Sequence, residues 1–273
     1  MSNTQVFAIN RNAAPRVSFE DFLAMSRRLG VTDVELRNDI KGAEISNGAS
    51  AHSLREAAEA AGVTIRTINA LYPFDRCDAD LQRHAVELAA YARDCGAQAL
   101  VMCPLNSRDD PRDESQRYTD LVHALKTLRP ILDGHGIRGL IEPLGFEECA
   151  LRHKSVAVKA IFDAAGERHY RLLHDTFHHA LSGEGIFFPE LTGLVHISGV
   201  ESTDLATTQM RDGHRVLVGA GDRLGNVEQL RALRQRGWNG IASYEPFAAE
   251  IMDAKDSEAR LRSSMDFIRK GLA

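Results

Sequence analysis

The sequence lacks the features that would take it out of the ordinary globular class. Its four cysteines, Cys77, Cys95, Cys103 and Cys149, form no Cys-x-x-Cys pair. No basic leader with an apolar centre opens the chain, so these read as reduced thiols of a cytoplasmic protein and not as a disulfide framework. No stretch approaches the ~20 apolar residues that span a bilayer. Neither sign of charge dominates: 33 Lys and Arg face 38 Asp and Glu, for a net charge of −5, which gives no bulk attraction to nucleic acid or to an anionic membrane. No strand leads into a G-x-G-x-x-G turn; Gly219-Ala220-Gly221 with Gly225 has the wrong spacing and comes late, which counts against a doubly wound dinucleotide fold. Linkers and low-complexity tracts are absent too, so residues 1–273 are expected to form one domain.

What is present is a repeat. An amphipathic stretch ends in glycine and a short β-rich run follows, at Gly30, Gly62, Gly96, Gly136 and Gly237, with Gly166 a looser case. Glycine suits the position just past a helix, where a left-handed backbone is cheap only without a Cβ. The first five of these positions, Gly166 included, lie 32, 34, 40 and 30 residues apart, the length of a βα unit. Helical stripes such as Leu81, Ala85, Leu88, Ala89 and Ala92 fill the intervals. The strands are read as Gln5–Asn10, Asp33–Arg37, Thr64–Ala70, Ala99–Cys103, Gly139–Pro143, Arg171–Asp175, Leu194–Ser198 and Gly240–Tyr244. Eight strands alternating with helices over this length predict an α/β fold of the closed (βα)8 TIM-barrel type.

In such a barrel the functional groups lie where strands end, because the C-terminal strand ends and βα loops form the concave face. Strands five to eight end in Glu142, Asp175, His196 and Glu245. Singly, each has an ordinary reading, as a helix cap, a loop carboxylate or a packing histidine. Together, three carboxylates and an imidazole at one mouth would resist burial unless a cation compensated them. The oxygen-rich set with one imidazole suits a single divalent ion, Mn²⁺, Mg²⁺ or Co²⁺, with Mn²⁺ favoured and Zn²⁺ accommodated. Arg37 and Asn69 end strands two and three and face the same mouth, where they could bind hydroxyls or serve as structural hydrogen bonders. His174 alternates with Asp175 and should point away. Cys103 has no base near it in sequence, which argues against a nucleophile. Trp238 and Phe22 read as packing residues.

The stretches Val34-Glu35-Leu36-Arg37, Ile68-Asn69-Ala70-Leu71, Glu142-Pro143-Leu144-Gly145, Asp175-Thr176-Phe177-His178, Val195-His196-Ile197, Arg215 with Gly219-Ala220-Gly221, and Tyr244-Glu245-Pro246-Phe247 resemble the xylose-isomerase-like superfamily of sugar isomerases and epimerases. Among its members the chain is most similar to the inosose isomerases of inositol catabolism. The resemblance implies that Glu142, Asp175, His196 and Glu245 hold one divalent metal, that His178 lies beside it and meets the substrate, and that Arg215 reaches substrate oxygens. It implies a keto-cyclitol or ketose as substrate, with Glu142 and Glu245 as the pair that removes and returns a proton α to the ketone through a cis-enediolate. A dehydratase of 3-dehydroshikimate or inosose starts from the same proton abstraction and is the nearest alternative. A non-catalytic sugar-binding barrel is the alternative of another class. A phosphodiesterase of the endonuclease IV kind is disfavoured, because strands two and three end without its additional histidine ligands. The outer helices leave room for a homo-oligomer.

Overall fold

The computed structural model describes residues 5–273; the reading of the N-terminus as leaderless rests partly on residues 1–4, which lie outside the described residues. Eight parallel strands close into a barrel in chain order: β1 Val6–Asn10, β2 Asp33–Arg37, β3 Thr64–Leu71, β4 Ala99–Met102, β5 Arg138–Ile141, β6 Tyr170–Asp175, β7 Thr192–Ile197 and β8 Ile241–Tyr244. The eighth pairs with the first through Val6 with Ile241 and Ile9 with Tyr244. The eight strands expected from the sequence are all present, Asp33–Arg37 with the expected bounds and the other seven displaced by one or two residues at one or both ends. Strand β5 stops at Ile141 and not at Pro143, since proline has no N–H to give the ladder. Glu142 still donates its N–H to Met102 O at 3.1 Å, which holds it at the barrel rim.

The helices wrap the outside: α1 Phe19–Arg28, α2 Ala51–Ala61, α3 Ala79–Asp94, α4 Glu114–Gly134, α5 Lys154–Asp163, α6 Thr176–Ser182, α7 Asn226–Gln235, the short α8 Ala249–Met252, and α9 Ser257–Leu272. Their starts are set by side-chain caps. Ser18, Ser50, Asp78 and Asp113 each accept a backbone N–H from the first turn, satisfying donors that have no partner inside the helix. At the other end of α2, Gly62 takes φ 64° and donates back to Ala58 O and Glu59 O, a conformation that a Cβ would penalise. The looser junction differs. There Ala165 carries the positive φ, and Gly166 is needed for closeness, since a Cβ would lie 2.7 Å from the Tyr170 ring.

Strand alternation divides the apolar residues into two cores. Outward residues such as Ile9, Leu36, Ile68, Ile141, Leu172 and Val195 pack under the helices. Inward residues Ala99, Val101, Leu140, Leu173 and Leu194 pack in the lower barrel, beneath the polar residues at the C-terminal end. Trp238 and Phe22 are both buried in the outer core. The register shifts between Val34 and Glu35 on the β2–β3 pair, the kind of irregularity that re-aims side chains near a site.

Candidate functional site

The upper layer of the barrel interior is polar. One atom each from Glu142, Asp175, His196 and Glu245 lies within 4.8 Å of the others. His196 is central: its Nδ1 is 3.0 Å from Glu245 Oε2, 3.5 Å from Glu142 Oε1 and 4.0 Å from Asp175 Oδ2. All four residues are buried, none more than 3% exposed. Each comes from the last residue of a strand or the position next to it, so the parallel barrel alone brings together groups spread over a hundred positions of chain. Asp175 also caps a helix, with Oδ1 accepting from the N–H groups of Phe177 at 2.7 Å and His178 at 3.1 Å, which leaves Oδ2 for the centre. Asp175 thus caps a helix and faces the cluster at the same time.

Two arginines offset the negative charge. Arg215 Nη2 donates to Asp175 Oδ2 at 2.6 Å and Glu245 Oε2 at 3.0 Å, while its Nε donates to Ser198 Oγ at 2.8 Å. The loop after β7 positions it. Gly199 and Val216 exchange backbone hydrogen bonds at 2.8 Å, and Arg215 O accepts from Phe247 and Ala248 of the loop after β8. Its guanidinium lies between the rings of Phe247, at 4.6 Å, and Phe177, at 5.0 Å, a desolvated stacking geometry that suits arginine far better than lysine. Arg37 Nη1 meets Glu245 Oε1 at 2.6 Å, and the same oxygen accepts from Asn69 at 3.0 Å and Asn10 at 3.3 Å. Arg37 and Asn69 thus face the mouth as expected, with their donors engaged on a carboxylate.

These contacts fix the protonation states. Burial disfavours the charged form of Glu245, but His196, Arg215 and Arg37 outweigh it and hold the carboxyl well below the usual range. Burial likewise works against a charged His196, yet Glu245, Glu35 and Glu142 drive its pKa well above that of a free imidazole. His178 is buried and packs edge-on against Phe146 and Phe177, each at 5.1 Å, and its Nδ1 has no hydrogen-bond partner within the protein. His174 points away from the mouth as its alternation predicts, meeting Lys154 Nζ at 3.1 Å and Gln229 Oε1 at 2.9 Å.

Three site neighbours were not anticipated. Cys103 donates its thiol to Glu142 Oε2 at 3.3 Å. Asn10 reaches Glu245 from β1. Glu35, fully buried one layer below Arg37, lies 3.0 Å from His196 Nε2. For Glu35 the signal was in the sequence: Arg37 faces inward, and the residue two positions earlier on a strand must do the same. Cys103 obeys the same rule relative to Val101.

The donor set fits a divalent ion. His196 Nδ1 is buried and faces three carboxylates, while Nε2 is taken by Glu35, so a divalent ion that displaced the proton on Nδ1 would find a ligand atom there. Three oxygens and one nitrogen suit a hard or borderline cation.

The chain matches the xylose isomerase-like TIM barrel family over residues 23–271, and it belongs to that family. Its structure is similar to that of a xylose isomerase domain containing protein from Salmonella typhimurium LT2, with 32% identity, 98% of each chain covered and a TM-score of 0.90. The IolI protein, solved with a bound zinc atom, shares 18% identity over 98% of both chains with a TM-score of 0.86. The D-psicose 3-epimerase of Clostridium cellulolyticum H10, solved with D-tagatose, shares 15% identity over 98% of this chain and 99% of its own, with a TM-score of 0.77. No curated protein matches the sequence. Among the described residues no helix is long and apolar enough to cross a membrane.

Proposed function

We propose that this protein is a metal-dependent isomerase or epimerase of a small keto-cyclitol or ketose, with inosose as the nearest substrate class. The observation that carries this reading is the convergence of Glu142, Asp175, His196 and Glu245 on one buried point, with His196 Nδ1 aimed into it. These four would hold one divalent ion, Mn²⁺ by preference on the hardness of the donor set. When bound, the ion supplies Lewis acidity to the ketone oxygen and the neighbouring hydroxyl of the substrate.

The protein's own residues do the rest. Glu142 takes the proton from the carbon next to the ketone; the C–H electron pair becomes the C=C bond of the enediolate, and the carbonyl π pair moves to oxygen. Return of a proton to the other face of the same carbon completes epimerisation; for isomerisation the proton returns to the former carbonyl carbon while the neighbouring hydroxyl passes its proton to the former ketone oxygen, so that the C=O forms at the neighbour. Glu142 is the better base of the two glutamates, because Oε1 of Glu245 is occupied by three N–H donors, whereas Glu142 Oε2 accepts from a weakly donating thiol. Glu245 is then the partner on the opposite side. Arg215 and His178 address substrate oxygens, with Phe247 and Phe177 holding the Arg215 guanidinium in place.

The test combines elemental analysis of the purified protein with NMR in deuterated water over a panel of keto-cyclitols and ketoses. One equivalent of a divalent metal, and deuterium entering beside the ketone with no loss of mass, is the expected result. Absence of both metal and exchange overturns the reading. A conjugated, ultraviolet-absorbing product replaces it with a dehydratase.

A further inference from the structure

We propose that Glu35 is the positioning residue that turns His196 into a metal ligand, by holding the ring's proton on Nε2 so that Nδ1 presents a lone pair to the centre. The inference rests on the metal-centre reading above and extends it one layer down into the barrel.

A neutral imidazole carries one proton on either nitrogen, and which nitrogen keeps it is decided by the partner of the other. Glu35 Oε1 and Oε2 lie 3.0 and 3.1 Å from His196 Nε2. A carboxylate there accepts Nε2–H, so the proton that a metal ion displaces is the one on Nδ1. That nitrogen is the buried one that faces Glu142, Asp175 and Glu245.

Glu35 is otherwise hard to explain. It is fully buried, and among the described residues its ion-pair partner is His196, with no arginine or lysine within reach. A carboxylate withdrawn from water without such a partner is costly, and an apolar side chain on the barrel floor would stabilise the fold better. Its own orientation is fixed from the neighbouring strand, where Thr67 Oγ1 donates to Oε2 at 2.6 Å. The chain Thr67–Glu35–His196 therefore runs across the barrel interior, from β2 and β3 to β7, and ends at the candidate centre. Carboxylates behind ligating histidines orient the ring and raise its basicity elsewhere, and their loss weakens metal binding.

Titration calorimetry of Zn²⁺ into metal-stripped wild type, Glu35→Gln and Glu35→Leu tests this, with ¹⁵N shifts of His196 recorded in the zinc-loaded wild type. The expected result is a fall in Zn²⁺ affinity of roughly 10–100-fold for Glu35→Leu and a smaller fall for Glu35→Gln, whose carbonyl still accepts Nε2–H. The ¹⁵N shifts should show a protonated Nε2 and a coordinated Nδ1. If Glu35→Leu does not fold, the fall in Glu35→Gln carries the test. Unchanged Zn²⁺ affinity in the folded variants, with only the melting temperature altered, makes Glu35 merely structural and overturns the proposal while leaving the centre standing. Wild type that takes up no Zn²⁺ removes the centre itself, and this role with it.

Discussion

Cys103 Sγ lies 3.3 Å from Oε2 of Glu142, so the glutamate proposed as base receives a hydrogen bond from a thiol at the end of the preceding strand. Burial, and then the neighbouring Glu142, push the thiol's pKa well above its ordinary value, which keeps the proton on sulfur and makes it a donor. A thiol bond is weak, and it restricts the rotation of the carboxylate. Cys103→Ala should therefore lower the rate of α-proton exchange by about 3–10-fold, on the scale of one modest hydrogen bond. Cys103→Ser, which keeps a donor, should retain most of the rate. Equal rates in wild type and Cys103→Ala would show that Glu142 does not need this contact.

The two glutamates themselves should be indispensable and not interchangeable. Glu142→Gln and Glu245→Gln preserve shape and remove the basic oxygen, and each is expected to lower turnover by about 10²-fold or more, the scale of a general base. Circular dichroism should show an intact barrel in both. Glu245→Gln additionally leaves Arg37 and Arg215 without their shared carboxylate, so its melting temperature should fall further than that of Glu142→Gln. Wild-type turnover in either variant would strike that residue from the mechanism.

The barrel was readable because its period is written in local chemistry. Each glycine after a helix answers a backbone requirement of its immediate neighbours, and Gly30, Gly62, Gly96, Gly136 and Gly237 all take the positive φ their spacing implied. Gly166 misled slightly, since its reason is the Tyr170 ring that lies over it. The clustering of Glu142, Asp175, His196 and Glu245 was readable for the same reason: each lies at or beside the end of a strand, so knowing the strands was enough. Contacts made across the barrel were not. Glu35 and His196 are 161 positions apart, and Arg215 arrives through a loop pairing of Gly199 with Val216 that no periodicity announces. Both depend on which strands face each other and at what height, which appears only once the sheet closes.

Stability should depend on the proposed metal. Glu142, Asp175 and Glu245, with Glu35 one layer below, are buried against Arg37, Arg215 and His196, and a divalent ion relieves their mutual repulsion. Ligand present at 100 times its dissociation constant stabilises a folded state by about 2.7 kcal/mol. Treatment with a chelator should accordingly lower the melting temperature by several degrees, and restoring Mn²⁺ or Zn²⁺ should reverse the change. Calorimetric traces that coincide with and without chelator would argue that the cluster is balanced by its arginines alone.

A separate acid sensitivity follows from the group behind the site. Lys154, at the start of α5, lies against both His174 and His179, and the two imidazole rings and the Lys154 ammonium pack around Phe187. Burial first, and then the charge of Lys154, lower the His179 pKa from 6.5 to about 4, so the folded protein holds this ring neutral where the unfolded chain would protonate it. Between pH 6.5 and about 4 the unfolded state binds the extra proton, and stability must fall as the solution is acidified through that window. The raised pKa of His196 acts only above the ordinary imidazole range and does not enter it. His179→Gln keeps a polar group facing Lys154 but cannot titrate, so its melting temperature should decline less steeply than that of wild type from pH 6.5 to 4. Carboxylates that begin to protonate near pH 4 are common to both proteins and cancel in the difference. Parallel curves for the two would remove His179 from the account of acid unfolding.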